Sequence, residues 1–241
     1  MLLAIDCGNT LTKAALFGAQ GDLSWSHVAT PDQPLEAILE ACPQVPVFMV
    51  GVASGPQPDW PGVTWLNAES VWPFQVQYSD SLGLDRLAAV AGARAQYPGQ
   101  DLIVVTLGTC ITFNALQEDT FLGGIIAPGL MMRLRAMHRD TANLPDLSSQ
   151  VQQVLSDWES APATHTTADS MLRGAIEGIM QQLRSEILAW QGQLSMPQII
   201  FTGGDGMAFA NHLKSGIFAA SDLELKGLWA QWKYASDSTS H

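Results

Sequence analysis

The sequence predicts an α/β fold made of two similar halves, and three observations predict it. An apolar strand ends in a glycine- or threonine-bearing turn three times: at Asp6-Cys7-Gly8-Asn9-Thr10, at Thr106-Leu107-Gly108-Thr109 and at Thr202-Gly203-Gly204-Asp205-Gly206. A pattern of three short strands followed by helix occurs near the N-terminus and recurs after residue 101. Apolar residues also recur at helical spacing, clearly over Leu84–Ala95.

The elements follow in order. Leu2 to Ile5 are four apolar residues bounded by Asp and Gly, the mark of a short buried strand. Ala14 to Phe17 return as a strand from Thr12, which makes 6–10 the turn of a hairpin. A third strand is expected at Leu23–His27, a helix near Leu35–Ala41, and strands at Val45–Gly51 and Val63–Leu66. Pro56 to Pro61 reads as a surface loop. The helix Leu84–Ala95 stops before Tyr97-Pro98-Gly99. Strands Leu102–Leu107, Cys110–Leu116 and Thr120–Ile126 repeat the opening theme. Helices Gly129–His138, Ala168–Gln191 and Met207–Lys214 follow, with a strand at Gln198–Phe201. Residues 1–100, joined by a C-terminal helix at 222–236, are expected to form one domain and 101–221 the other. Asp237 to His241 reads as a disordered polar tail.

Composition narrows the function. The 241 residues are 47% hydrophobic and 14% charged, enough for a substantial core. A net charge of −12 argues against non-specific nucleic-acid or anionic-membrane binding, while a local basic pocket can still hold phosphate. No stretch approaches the roughly 18 apolar residues of a membrane span, and the N-terminus lacks a signal-peptide pattern. Cys7, Cys42 and Cys110 are an odd, scattered set that fits reduced thiols in a cytoplasm.

Chemistry concentrates in a few places. Gly8 lets backbone approach a ligand, Asn9 and Thr10 supply short donors, and Lys13 adds positive charge. Asp6, at the mouth of its strand, suits hydrated Mg²⁺, which takes one or two carboxylates and substrate phosphates. A tight hairpin turn without a ligand explains the same segment. Gly83-Leu84-Asp85-Arg86 opens a helix with an acid beside a guanidinium. There Asp85 can serve the helix dipole and Arg86 a solvated salt bridge. Alternatively, the carboxylate accepts a proton from a substrate hydroxyl while the arginine holds a substrate carboxylate.

Two facing strand-turn-strand units can clamp a nucleotide, one turn per phosphate group, with the third turn near base or ribose. That is the layout of the actin-like, sugar-kinase and heat-shock ATPase fold: duplicated, ribonuclease H-like α/β domains with a cleft between them. Across about Leu2 to Leu228 the chain resembles the type III pantothenate kinases. The resemblance rests on Asp6 to Thr10 with Lys13, on Gly83 to Arg86, and on Gly108-Thr109-Cys110-Ile111-Thr112. Phe121 to Gly124, Ile126 to Gly129, Thr167 to Gly174 and Thr202-Gly203-Gly204 continue it in order.

The resemblance implies phosphorylation of pantothenate by ATP at the start of coenzyme A synthesis. It implies Asp6 as metal ligand for Mg²⁺ with ATP, and phosphate contacts from Gly8, Asn9, Thr10 and Lys13. Asp85 becomes the general base and Arg86 the partner of the pantothenate carboxylate; Gly83 and Tyr78 join that pocket. Gly108, Thr109 and Thr112 form a second phosphate turn, and Gly203 and Gly204 approach the nucleotide. Thr167 helps hold pantothenate across the interface of a homodimer, and K⁺ or NH₄⁺ is implied as a monovalent cofactor. One departure stands out: the family's second phosphate motif opens with an aspartate where this chain has Thr106, and a further acid is replaced by Asn114. Hence the alternative of a weakened or inactive relative that binds nucleotide or pantothenate as a regulator. The histidines lack metal-ligand spacing, and Met131, Met132, Trp229 and Trp232 read as core or interface.

Overall fold

The structure, a computed structural model, describes residues 1–8, 10–30, 35–42, 45–51, 62–79, 81–159, 163–213 and 216–238. The expected loop Pro56–Pro61 and the site residue Asn9 lie outside the described residues. The chain divides into two compact units: 1–102 with 116–123 and 222–241, and 103–115 with 124–221.

In the first unit β1 (Leu2–Cys7), β2 (Thr12–Phe17), β3 (Leu23–Ala29), β4 (Val47–Gly51) and β5 (Val63–Trp65) form a sheet ordered β3-β2-β1-β4-β5. β1 pairs antiparallel with β2 and parallel with β4, so it is a central strand. Leu2, Leu3, Ala4 and Ile5 are fully buried, as a strand covered on both faces requires. Part of one face packs with Ile38 of α1 (Leu35–Ala41). α7 (Leu223–Ser238) also packs on β1, and its Trp229 donates from Nε1 to the Gly18 carbonyl at 3.2 Å, tying the helix to the β2–β3 hairpin. β3 runs two residues beyond its expected end because it keeps pairing with β2 out to Ala29. β6 (Gln75–Val76), absent from the sequence reading, pairs parallel with β9 (Thr120–Gly123).

α2 (Leu84–Gln96) packs closely against α7. A Cβ on Gly227 would lie 1.7 Å from the Ala88 carbonyl oxygen, and one on Gly92 would lie 2.2 Å from that of Leu223. Only glycine on both helices permits this approach.

In the second unit β7 (Leu102–Leu107) and β11 (Gln198–Thr202) are neighbours in the order β12-β11-β7-β8. β8 is Cys110–Gln117, and β12 (Ile217–Ala219) is a parallel edge strand that the sequence reading did not anticipate. α3 (Leu130–Arg139) and α5 (Thr167–Gln191) pack together, and Arg133 reaches Gln182. Thr166 caps α5: the Asp169 N–H donates to its Oγ1 at 3.0 Å, and that hydroxyl donates to Asp169 Oδ2 at 2.7 Å. α4 (Val151–Ser156), also unanticipated, is held to α6 (Gly206–Leu213) by His212 Nε2 donating to the Leu155 carbonyl at 2.7 Å.

Two expectations need correction. The strand expected over Thr120–Ile126 is broken into β9 and β10 (Ile126–Pro128), which turns back to pair antiparallel with β8. The break is at Gly123 and Gly124, with φ of 97° and 155°. A Cβ on Gly124 would also fall 1.9 Å from the Phe113 carbonyl oxygen. The polar tail is likewise not wholly outside regular structure, because Asp237 and Ser238 continue α7. Nothing there breaks a helix: Lys233 pairs with Asp237 at 3.4 Å, and the Ser236 and Ser238 hydroxyls donate to carbonyls one turn back.

Candidate active site

The first unit gathers charge where its apolar strands run out. Asp6 lies near the end of β1, and its register partner on β2 is Lys13. Lys13 Nζ stands 3.8 Å from Asp222 Oδ1, just before α7 begins. Asp222 holds a left-handed φ of 56°, a conformation aspartate tolerates better than most residues. Two residues on, in the first turn of α7, Glu224 is only 5% exposed. Asp85 is exposed in the first turn of α2.

These groups act on one another. Burial pushes the Asp6 carboxyl up to about 7; Glu224 and Asp85 push the same way, and Lys13 opposes them. Burial also raises Glu224, again against the pull of Lys13. Glu224 Oε2 has no hydrogen-bond partner, a costly state for a buried carboxylate oxygen. Among the described residues no group of three His, Cys, Asp or Glu side chains is placed to hold a metal ion. Hydrated Mg²⁺ needs no such cage, since it keeps several waters and takes one or two carboxylates. Asp6 and the unpartnered oxygen of Glu224 fit that requirement.

Beside them Gly8 donates its N–H to the Leu11 carbonyl at 3.0 Å, and Thr10 is exposed. The neighbouring Cys7 thiol is driven up to about 11 by burial and by Asp6, so it is no nucleophile.

The second cluster forms around the start of α2. The solvated salt bridge considered for Arg86 is corrected: the residue is 3% exposed. Its guanidinium carbon lies 5.6 Å from the ring centre of Tyr78 and 5.9 Å from that of Phe121. The two rings meet edge to face at 6.2 Å. β6–β9 pairing puts Val76 opposite Phe121 and so carries Tyr78 to Arg86. Gly83, the N-cap of α2, leaves room for Asp85, whose Oδ1 would sit 2.5 Å from a Cβ there. Tyr78, Gly83, Asp85 and Arg86 are thus brought together, and Phe121 joins them. A pocket of about 580 Å³ opens beside Tyr78, lined by Trp72, Phe74, Leu82, Leu84 and Leu87.

In the second unit the glycine turns meet at the ends of β7 and β11. Gly203 has φ 88°, and a Cβ there would be 2.3 Å from the Leu107 carbonyl oxygen. The Asp205 N–H donates to that same oxygen at 3.1 Å, locking the two turns together. Gly129 closes the other side, donating its N–H to the Thr109 carbonyl at 3.1 Å. The Cβ positions of Gly108 and Gly204 have nothing within 4 Å, so both turns present open backbone. Thr109 is exposed and Thr106 half-buried. Thr112 is buried, its Oγ1 accepting from Asn114 Nδ2 at 3.1 Å, while that amide also donates to the Val104 carbonyl at 3.4 Å. Thr167 is placed elsewhere, exposed as the first residue of α5.

A strand-end carboxylate, a strand lysine and open glycine turns on α/β sheets are the parts of a phosphotransferase of the actin-like ATPase and sugar-kinase fold. Solved structures agree on the fold. A Campylobacter jejuni protein assigned to the Baf family of transcriptional activators superposes with a TM-score of 0.68 at 22% identity, covering 98% of this chain and 99% of that one. A Sinorhizobium meliloti protein described as a 2-dehydro-3-deoxygalactonokinase gives 0.56 at 14% identity, covering 99% of both chains. At such identities the likeness speaks of fold alone.

Sequence relatives are closer. The family model for type III pantothenate kinase matches residues 59–188. A type III pantothenate kinase of Flavobacterium johnsoniae is 32% identical over 99% of this chain and 100% of its own length. That of Christiangramia forsetii is 32% identical over 95% and 96%. The chain belongs to the type III pantothenate kinase family, and it is an enzyme of the kinase class.

Glu224 and Asp222 escaped the sequence reading. The signal was a lone acid between Leu223 and Leu225, on a helix whose buried face is otherwise largely apolar.

Proposed function

We propose that the protein transfers the γ-phosphoryl group of ATP to the primary hydroxyl of pantothenate, yielding 4′-phosphopantothenate for coenzyme A synthesis. Family membership supports the reaction, and one observation carries the assignment of residues: Asp85 and Arg86 stand together at the start of α2, one exposed and one buried under aromatic rings. A guanidinium held within about 6 Å of both the Tyr78 and Phe121 ring centres is restrained in position, and its planar N–H fork matches a carboxylate. Arg86 pairs with the pantothenate carboxylate, which brings the far hydroxyl under Asp85. Asp85 takes the hydroxyl proton as that oxygen attacks the γ-phosphorus and ADP leaves. Phosphoryl transfer asks chiefly for in-line positioning and charge neutralisation, which is what this set of residues supplies.

Gly8, Asn9, Thr10 and Lys13 contact phosphate in the first unit, and Gly108, Thr109, Thr112, Gly203 and Gly204 contact the nucleotide in the second. Magnesium, when bound with ATP, neutralises charge on the transferring phosphates, and Asp6 holds it. The same reading includes K⁺ or NH₄⁺ as a second cation, a cytoplasmic location, and a homodimer in which Thr167 reaches the partner's substrate. It also takes the two compact units as the two domains of the fold. No helix among the described residues is long and apolar enough to cross a membrane.

The experiment is mass-spectrometric detection of 4′-phosphopantothenate from purified protein with ATP, Mg²⁺, K⁺ or NH₄⁺, and pantothenate. Product is expected, and Asp85→Asn should lower kcat by roughly 10²- to 10⁴-fold with the fold intact. A near-wild-type rate in that variant removes Asp85 from the mechanism. One observation favours a second reading, a ligand-binding regulator: neither Thr106 nor Asn114 is a carboxylate, and the Asn114 amide is engaged by Thr112 and Val104. That reading expects pantothenate binding with no product.

A further inference from the structure

We propose that Glu224 is a second carboxylate of the divalent-cation site, acting beside Asp6 on the cation and its water shell; this rests on the kinase reading above. The position makes poor sense as packing alone. Leu223 and Leu225, at 0% and 2% exposure, already serve the core on either side of Glu224. A glutamate buried to the same degree costs several kcal/mol unless its charge is met, and an apolar residue of similar volume avoids that cost.

The surroundings say what would meet the charge. The backbone N–H of Glu224 itself supports the carboxylate, while Oε2 is left without a hydrogen-bond partner. The charged groups acting on it are Lys13, Asp222 and Asp85, and after burial Glu224 is the foremost influence on Asp6. Among the described residues, four carboxylates here face one lysine, and Lys13 already lies 3.8 Å from Asp222. Register fixes the relation of the parts: Lys13 is opposite Asp6, and Asp222 leads directly into the turn bearing Glu224. The cluster therefore has an excess of negative charge, and within it the buried Glu224 Oε2 has no hydrogen-bond partner.

Mg²⁺ and Mn²⁺ keep most of their waters, so a carboxylate need not touch the ion to hold it. Accepting from metal-bound water orients that water and offsets the ion's charge. Such outer partners are worth roughly 10- to 100-fold in metal affinity. Glu224 is a positioning residue in this sense, with Asp6 the ligand.

The test uses Mn²⁺ as probe, with a non-hydrolysable ATP analogue at saturation, following the free-ion signal by electron paramagnetic resonance. Glu224→Gln should bind Mn²⁺ roughly 10- to 100-fold more weakly than the unaltered protein. Its metal-free circular dichroism should be unchanged and its melting temperature equal or higher. If the glutamine variant folds poorly, Glu224→Asp carries the comparison: it keeps the charge but draws it back by one methylene, and several-fold weaker binding is expected. Affinity unchanged in a folded variant overturns the proposal, as does unaltered protein that takes up no Mn²⁺ beyond what the analogue binds alone. Phosphopantothenate formation by the unaltered protein separates the two readings. Product with unchanged Mn²⁺ affinity in Glu224→Gln refutes only the role of Glu224. Weakened Mn²⁺ binding with no product refutes only the kinase.

Discussion

Replacing Gly227 by alanine sets two physical effects against each other, and the structure says which wins. Helix propensity alone favours alanine over glycine by about 1 kcal/mol. At this position, however, the new methyl would sit 1.7 Å from the Ala88 carbonyl oxygen, 2.5 Å from its carbon and 2.9 Å from the Gly92 nitrogen. All three are backbone atoms of a helix, so no side chain can swing aside. α7 must back away from α2 by more than an ångström to restore ordinary contact. A gap of about 0.5–1 Å already forfeits a quarter to a half of the dispersion energy along the seam. Overpacking of this kind costs about 3 kcal/mol, outweighing the propensity gain. The net loss of about 2 kcal/mol should lower the melting temperature by about 4–8 °C.

Function should suffer too, since α2 carries Asp85 and Arg86 and α7 carries Glu224. We expect kcat to drop by at least about tenfold, because displacements of an ångström misalign phosphoryl transfer. Thermal denaturation followed by circular dichroism measures the first effect and steady-state kinetics the second. Gly174→Ala is the control: that helical position has nothing within 4 Å of a Cβ, so propensity should act alone and raise the melting temperature slightly. A Gly227→Ala protein as stable as the control refutes the close α2–α7 packing argument.

Two further substitutions probe the site. Arg86→Lys keeps the charge but loses the flat fork beside Tyr78 and Phe121, so KM for pantothenate should rise about tenfold or more with a smaller change in kcat. A lowered kcat with unchanged KM in steady-state assays counts against carboxylate pairing. Asn114→Asp introduces the acid that the family resemblance suggests, yet Asn114 is fully buried and its amide donates to two oxygens. The carboxylate would face the Val104 carbonyl, an obligate acceptor, in a dry site, so stability should fall by about 3 kcal/mol or more and activity should not rise. An unchanged denaturation midpoint refutes this placement.

Much of the frame was legible in sequence order. Leu2 to Ile5 read as a buried strand because an unbroken apolar run is what a doubly covered strand needs. α2 was plain from helical spacing, with its stop before Tyr97-Pro98-Gly99, and α5 was expected from Ala168, one residue after its observed start; the Thr166–Asp169 cap that begins it emerged only with the structure. The glycine turns and the Asp85-Arg86 pair were visible as local motifs, since their chemistry is carried by adjacent residues. β6 and β12, two and three residues long, were not legible; they are too short for periodicity and exist because β9 and β11 offer them partners. Gly123 and Gly124 were read as a motif, but the Phe113 carbonyl that forbids a side chain at Gly124 comes from another strand.

The same division holds in the site. Residue types and spacing alone determined that Asp6, Lys13, Asp85 and Arg86 were worth watching. Only tertiary structure decided that Arg86 is buried beside Tyr78 and Phe121 rather than solvated, because its partners come from separate segments. Only tertiary structure brought Glu224, near the far end of the chain, into the field of Asp6. Burial and electrostatic environment are properties of neighbours in space, and a chain's local pattern carries no record of neighbours more than 200 residues away.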